Sequence, residues 1–312
     1  MRGKHMTKLG AALVAVLLVA LAAVAAATAR TPDRAAAPKG ADQPTVILGT
    51  KNFTEQYVLG QLYKQALEAK GFTVQYRRNI GSTELTDAAL RSGRINMYPE
   101  YTGTQLAVVF KRKTAPRSAA ATFQLAKRLQ AARGFTVLPQ TPFSDTDEIA
   151  VLSATARRYG LRTIADLKKV GDELTLGGFP EFETREQGLL GVRRAYGVTN
   201  IEFVPLAGIS AYQALDSGRV LAADVFSTDP PLAGTKYRVL DDPKNVFGFQ
   251  NVTPVVRTTL ARQLGPNFTR TVNAVTAKLT LQAMIAMNKA VAVDKQSEVA
   301  VAGRFLEANN LK

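Results

Sequence analysis

A carboxylate, an aromatic ring and two hydroxyls fall within five residues at Glu100-Tyr101-Thr102-Gly103-Thr104. They follow a short apolar run over residues 95–98, which itself follows Gly93, a residue suited to stopping a helix. A strand that runs into polar and aromatic side chains at its end is where α/β sheets present groups to ligands. The residue types are those of recognition. Much catalytic chemistry is excluded by composition: there is no cysteine, and the one histidine is His5. Disulfides, thiolate metal sites, cysteine nucleophiles, Ser-His-Asp triads and histidine metal centres therefore have no residues to form from. Serine-lysine and carboxylate chemistry stay open.

The elements that must hold this turn alternate between strand and helix. Residues 46–49 read as a strand leading into Thr50-Lys51-Asn52-Phe53-Thr54. A helix follows with its apolar face at Tyr57, Leu59, Leu62, Tyr63, Ala66 and Leu67, and it stops at Gly71. Further strands are predicted over 72–77, 135–138, 148–152, 174–178, 201–206, 220–226, 237–240 and 252–256. Helices are predicted around 105–111, 119–132, 164–169, 184–196 and 210–217, and through most of 267–312. Residues 142–147 read as an irregular crossing segment.

One segment occurs twice. Ala89-Leu90-Arg91-Ser92-Gly93-Arg94-Ile95 returns as Ala214-Leu215-Asp216-Ser217-Gly218-Arg219-Val220, and eight residues past each glycine stands an aromatic, Tyr101 or Phe226. A repeat of this kind implies two similar α/β halves. Tyr101 and Phe226 are then expected at equivalent strand ends, one on each wall of a shared cleft.

The N-terminus carries Arg2, Lys4 and Lys8, an uncharged run over 9–29 and an Ala27-Thr28-Ala29 cleavage pattern. Residues 1–29 are therefore expected to be a signal peptide or an uncut membrane anchor, and residues 30–44 a linker. Both readings place the remainder outside the cytoplasm. The net charge of +15 is scattered as pairs such as Arg157-Arg158 and Arg193-Arg194, without interleaved aromatics and with no Trp. That pattern suits an anionic membrane surface better than nucleic acid, which is not expected as a partner.

Several segments together resemble the substrate-binding proteins of ABC importers for osmoprotectants such as glycine betaine, choline and carnitine. They are Gly49-Thr50-Lys51-Asn52-Phe53-Thr54-Glu55-Gln56, Gly81-Ser82-Thr83-Glu84, Met97-Tyr98-Pro99-Glu100-Tyr101-Thr102-Gly103-Thr104, Pro180-Glu181-Phe182 with Arg185, Ser227-Thr228-Asp229 and Pro254-Val255-Val256-Arg257. The resemblance implies a type II periplasmic-binding-protein fold: two α/β lobes joined by two crossing segments, with a ligand cleft between them. One lobe would comprise residues 45–144 and 252–312, the other 145–251. It also implies a monomeric binder that closes on its ligand and delivers it to a membrane permease driven by an ATPase, with no cofactor and no metal.

By the same resemblance, Tyr101 and Phe226 fall where aromatic rings cage a quaternary ammonium. Such a cation cannot donate hydrogen bonds and is held by ring faces at roughly 0.5–2 kcal/mol each. Lys51, Thr104 and Arg185 match positions for a ligand carboxylate. Glu181 matches a polar cleft position and Asp145 one in the first crossing segment. The chain departs from the pattern at two expected tyrosines, where it has Asp147 and Gln250. A cage eroded in this way still suits a quaternary amine, with the charge of Asp147 replacing a ring. The alternative is an amino or guanidino acid whose N–H groups reach Asp147 and Gln250. Two other classes of reading are a ligand sensor anchored by its N-terminal helix and an enzyme using Lys51 with Glu181 or Asp147. No nucleophile–base pair is evident for the latter.

Overall fold

The computed structural model describes residues 43–207 and 210–312. The expected signal or anchor, and most of the expected linker, lie outside the described residues. No described helix is long and apolar enough to cross a membrane.

Among the described residues, ten strands form two five-stranded sheets: β1 (Val46–Lys51), β2 (Val74–Gly81), β3 (Met97–Tyr101), β4 (Phe135–Val137), β5 (Asp147–Leu152), β6 (Thr175–Gly178), β7 (Glu202–Pro205), β8 (Ala222–Phe226), β9 (Tyr237–Leu240) and β10 (Val252–Arg257). The first sheet has the order β2-β1-β3-β10-β4 and the second β7-β6-β8-β5-β9. In the first, β1 runs parallel to β2 and β3 while β10 runs antiparallel to β3 and β4. The second repeats this, with β6 parallel to β7 and β8, and β5 antiparallel to β8 and β9. The two sheets match strand for strand. This is the two-lobed type II fold that the repeat and the resemblance led one to expect, and it puts Tyr101 and Phe226 at the ends of corresponding strands.

Each lobe has its own apolar core. The helix Thr54–Ala69 buries Leu59, Leu62, Tyr63 and Leu67 against Phe268, Met284 and Leu306 of the C-terminal helices. Ile149, Leu167, Leu176 and Leu189 centre the second core. Each such side chain is worth about 1.5–3 kcal/mol when removed from water.

Three local departures from the sequence reading shape the cleft. β3 continues through Pro99 to Tyr101 instead of ending at Tyr98. Pro99 lies in register opposite Pro254, so the two residues that lack an N–H share one rung of the ladder. The helix expected over 184–196 is broken into a tight turn, Pro180–Thr184, and a helix, Leu189–Tyr196. Phe182 turns into the second core, and Gly188 lies so close to the Phe182 carbonyl that a Cβ would stand 2.3 Å from it. Arg185 therefore sits in extended backbone between the two pieces, free of helix geometry. Finally, residues 105–109 form a wide π-helical turn in place of the expected α-helix.

The chain passes between lobes through residues 138–146 and 241–251. These segments pair with each other at Ser144 and Asn251 and through Asp145 N–H to Gln250 O (3.0 Å). Thr102 N–H donates to Asn251 O at 3.0 Å, which ties the ligand turn to the crossing. Gly103 allows that approach, since a Cβ there would meet the Phe249 carbonyl at 2.7 Å.

Candidate functional site

The cleft between the lobes contains two chambers, of about 390 and 50 Å³. Phe53, Asp145, Phe179, Asp224 and Phe226 line both. Of the nine residues singled out in the sequence, eight line the small chamber: Lys51, Tyr101, Thr104, Asp145, Asp147, Glu181, Arg185 and Phe226. Gln250 does not. Its amide oxygen accepts from Thr104 N (2.9 Å) and Thr104 Oγ1 (3.1 Å), and its nitrogen donates to Phe247 O (2.8 Å) and Gln187 Oε1 (3.3 Å). The side chain is 1% exposed and its donors and acceptor are engaged in holding the crossing to the ligand turn.

An aromatic column crosses the cleft. Phe53, on the turn after β1, stacks on Tyr101 of its own lobe (centroids 6.1 Å apart) and on Phe226 of the other lobe (5.7 Å, 9° between planes). Phe226 continues to Phe179 at 6.2 Å. Tyr101 and Phe226 thus do not face each other across open space; Phe53 stands between them.

The three groups expected to meet a ligand anion each have a protein partner. Lys51 forms a buried ion pair with Glu100, donates to Thr83 Oγ1 at 2.9 Å and lies 4.5 Å from the Tyr101 ring centre. Burial pushes its ammonium below the ordinary lysine range, and Glu100 opposes that shift. Arg185 reaches across the cleft to Glu84, with Nη2–Oε2 at 3.0 Å and Nε–Oε1 at 3.4 Å; Glu181 is 3.9 Å away. Burial alone would raise the Glu84 carboxyl, but the hydrogen bond and charge of Arg185 override it and hold it at about 2. Thr104 gives its hydroxyl proton to Gln250 and accepts from Gln187 Nε2 at 2.9 Å.

Carboxylates dominate the remainder. Asp145 accepts from Thr228 Oγ1 (2.8 Å), and Glu55 from Tyr101 OH (2.9 Å) and Asn288 Nδ2 (3.1 Å). Asp229 Oδ2 accepts from Phe226 N and Tyr212 OH, both at 3.0 Å. Burial pushes the carboxyls of Glu55, Asp145, Asp224 and Asp229 upward; the Glu55 charge adds to this at Asp145, and the Asp147 charge at Asp224. Burial likewise raises Asp147 to about 6, against the pull of Arg185, and Glu148 to about 7, helped by Asp229. Among the described residues, no group of three His, Cys, Asp or Glu side chains is placed to hold a metal ion.

A group whose pKa is raised on folding contributes stability below its unfolded pKa and loses it as pH rises through the folded value. The ligand-free protein should accordingly melt at a lower temperature at pH 8 than at pH 5. The loss should be centred on the window from about 6 to about 7 set by Asp147 and Glu148. Melting curves across this range check it, and Asp147→Asn should flatten the lower part.

Sequence reasoning passed over Phe53, Phe179, Tyr212, Glu55, Asp224 and Asn288. One signal was present: Asp224 and Phe226 are two apart on one strand, so they share a face.

Residues 44–308 match the family described as "Substrate binding domain of ABC-type glycine betaine transport system". The chain is 32% identical to the glycine-betaine-binding protein of Pseudomonas aeruginosa over 282 residues, covering 87% of this chain and 90% of that one. It is 30% identical over 304 residues to the glycine betaine-binding protein YehZ of Escherichia coli, covering 93% and 95%. The solved structure of a glycine betaine/carnitine/choline ABC transporter protein superposes with a TM-score of 0.68 at 23% identity, over 85% of this chain and 99% of that one. At that identity the likeness is one of fold.

Proposed function

The chain belongs to the family of substrate-binding domains of ABC-type glycine betaine transport systems, and from that premise we propose that it captures a small quaternary-amine or zwitterionic osmolyte between its lobes and hands it to the membrane permease. It is a binding protein and not an enzyme. The observation that carries the ligand reading is the aromatic column, in which Phe53 of one lobe lies nearly parallel to Phe226 of the other at 5.7 Å. Ring faces hold an alkylated cation that offers no hydrogen-bond donor, and the carboxylates beside them add charge attraction. Residues 45–144 with 252–312 act as one closing half and residues 145–251 as the other. Export by the N-terminal segment, action as a monomer and a partner ATPase belong to the same proposal.

At about 50 Å³ the small chamber is far below the usual size of a small-molecule pocket, about 300–1,000 Å³. A ligand carboxylate that takes the Nε/Nη2 edge of Arg185 must displace Glu84, and a whole ligand there must part the lobes. Titration of the purified protein with glycine betaine, choline and carnitine, followed by melting temperature, tests the reading. A micromolar ligand at millimolar concentration stabilises by about 4 kcal/mol, and no shift with any of the three would sink the proposal. Arg185→Ala should weaken glycine betaine and carnitine more than choline. Glu84→Gln should free the fork and tighten the two carboxylated ligands by up to about fivefold, the scale of a half-exposed ion pair, while leaving choline unchanged.

A further inference from the structure

The large chamber has a chemistry that a quaternary ammonium does not satisfy. Glu55, Asp145, Asp224 and Asp229 line it together with Phe53, Phe179, Tyr212 and Phe226, and among the described residues no lysine or arginine does. Two acceptor atoms on its lining side chains, Asp224 Oδ1 and Asn288 Oδ1, are buried without a partner. Both residues are at least 95% buried. The Asn288 amide is oriented by its nitrogen, which donates to Glu55 Oε2 (3.1 Å) and Thr228 O (3.4 Å), so its oxygen is the end left over. A buried acceptor without a donor is costly, and methylated nitrogen has no donor to give. At about 390 Å³ the space lies within the usual range of small-molecule pockets, about 300–1,000 Å³.

We propose that this chamber binds an organic cation bearing N–H donors, a primary ammonium or guanidinium head on a short alkyl chain. The head is held by Asp145, Asp224 and Asn288, and the chain lies against Phe53, Phe179 and Phe226. The inference rests on the reading of the cleft as the capture site and extends its ligands beyond quaternary amines. The two cationic side chains of the neighbouring small chamber do not oppose such a ligand, because Lys51 is paired with Glu100 and Arg185 with Glu84. Raised carboxyls in the chamber give up protons as the cation enters, so binding strengthens as pH rises.

Calorimetric titration of the purified full chain with ethanolamine against choline compares one skeleton with and without N–H groups. 1,4-Diaminobutane and 4-guanidinobutylamine supply the longer probes. Saturable binding of an N–H cation is expected, weakened about 10- to 100-fold, the cost of a lost charge-assisted hydrogen bond, by Asp145→Asn and Asp224→Asn. Both variants are isosteric, and melting curves confirm their folding. Proton release, read from the dependence of the heat on buffer, should accompany binding and diminish in the variants. Binding of choline or glycine betaine with none of the N–H cations overturns the inference and leaves the capture reading intact. Binding of neither class overturns both. N–H cations bound with equal affinity by wild type and both variants overturn the assignment to this chamber.

Discussion

Lys51→Met should cost about 3–5 kcal/mol of folding stability, the usual penalty for removing one partner of a buried ion pair. Lys51 is 4% exposed and Glu100 is completely buried. Glu100 Oε1 takes the lysine ammonium and also the Tyr101 N–H at 2.7 Å, while its other oxygen has no partner. Without the ammonium, a buried carboxylate must either stay charged or take up a proton. The double variant Lys51→Met, Glu100→Gln should recover most of the loss, since a neutral amide still accepts from Tyr101 N. Denaturant midpoints for the two single variants and the double give the coupling directly. A single-variant loss below about 1 kcal/mol, the scale of an exposed pair, would return Lys51 to the role of a free cation awaiting a ligand anion.

Phe53→Ala should lower affinity for a quaternary amine by about 10- to 100-fold, with only a modest change in melting temperature. The ring lies on a turn and is half-buried, so little core is lost. It is nonetheless the middle of the column, touching Tyr101 in one lobe and Phe226 in the other. Its removal deletes one ring face from the cation, worth about 0.5–2 kcal/mol, and two ring–ring contacts of about 0.5–1.5 kcal/mol each, of which the one to Phe226 spans the lobes and favours closure. Phe53→Leu separates the two effects, because it keeps apolar bulk but has no ring face. Wild-type affinity in Phe53→Leu would show that the ring electrons do not contribute, and that the ligand is held elsewhere in the cleft.

Most strands were legible as short apolar runs bounded by glycine or polar residues, whereas β2 carries Arg77, Arg78 and Asn79 and showed only its first half, and the duplicated Ala-Leu-Xaa-Ser-Gly-Arg segment disclosed that the halves match. The break near Arg185 was not. The residues over 184–196 have helical periodicity, and what interrupts it is the burial of Phe182 in a distant core together with backbone contact at Gly188. Local patterns carry no trace of such tertiary competition. The same limit explains Gln250, whose position along the chain suits a ligand group but whose amide is claimed by Thr104, 146 residues away. Glu55 looked like an ordinary acidic residue in the first turn of a helix. Asn288 reaches the cleft from a C-terminal helix, and nothing adjacent to it in the chain points there. Asp224 could have been found, since strand alternation sets it beside Phe226 and a charged residue on a cleft-facing strand end calls for a partner.

The position of β10 has a consequence for how the molecule comes into being. This strand lies between β3 and β4, inside the first sheet, yet it is made after the whole second lobe. A nascent chain that has emerged only as far as residue 251 lacks that strand. β4 then has no neighbour and β3 presents an open edge of the kind that recruits other chains. The second sheet has no such debt to later sequence, because all five of its strands lie between residues 147 and 240. This topology predicts an order of maturation that is the reverse of the order of synthesis. The later lobe can fold as soon as it is complete, while the earlier one waits for a long-range closure that slows folding. Were the chain exported unfolded, as proposed, such delay would be an advantage: the leading half could not lock into its native form while the rest was still in transit.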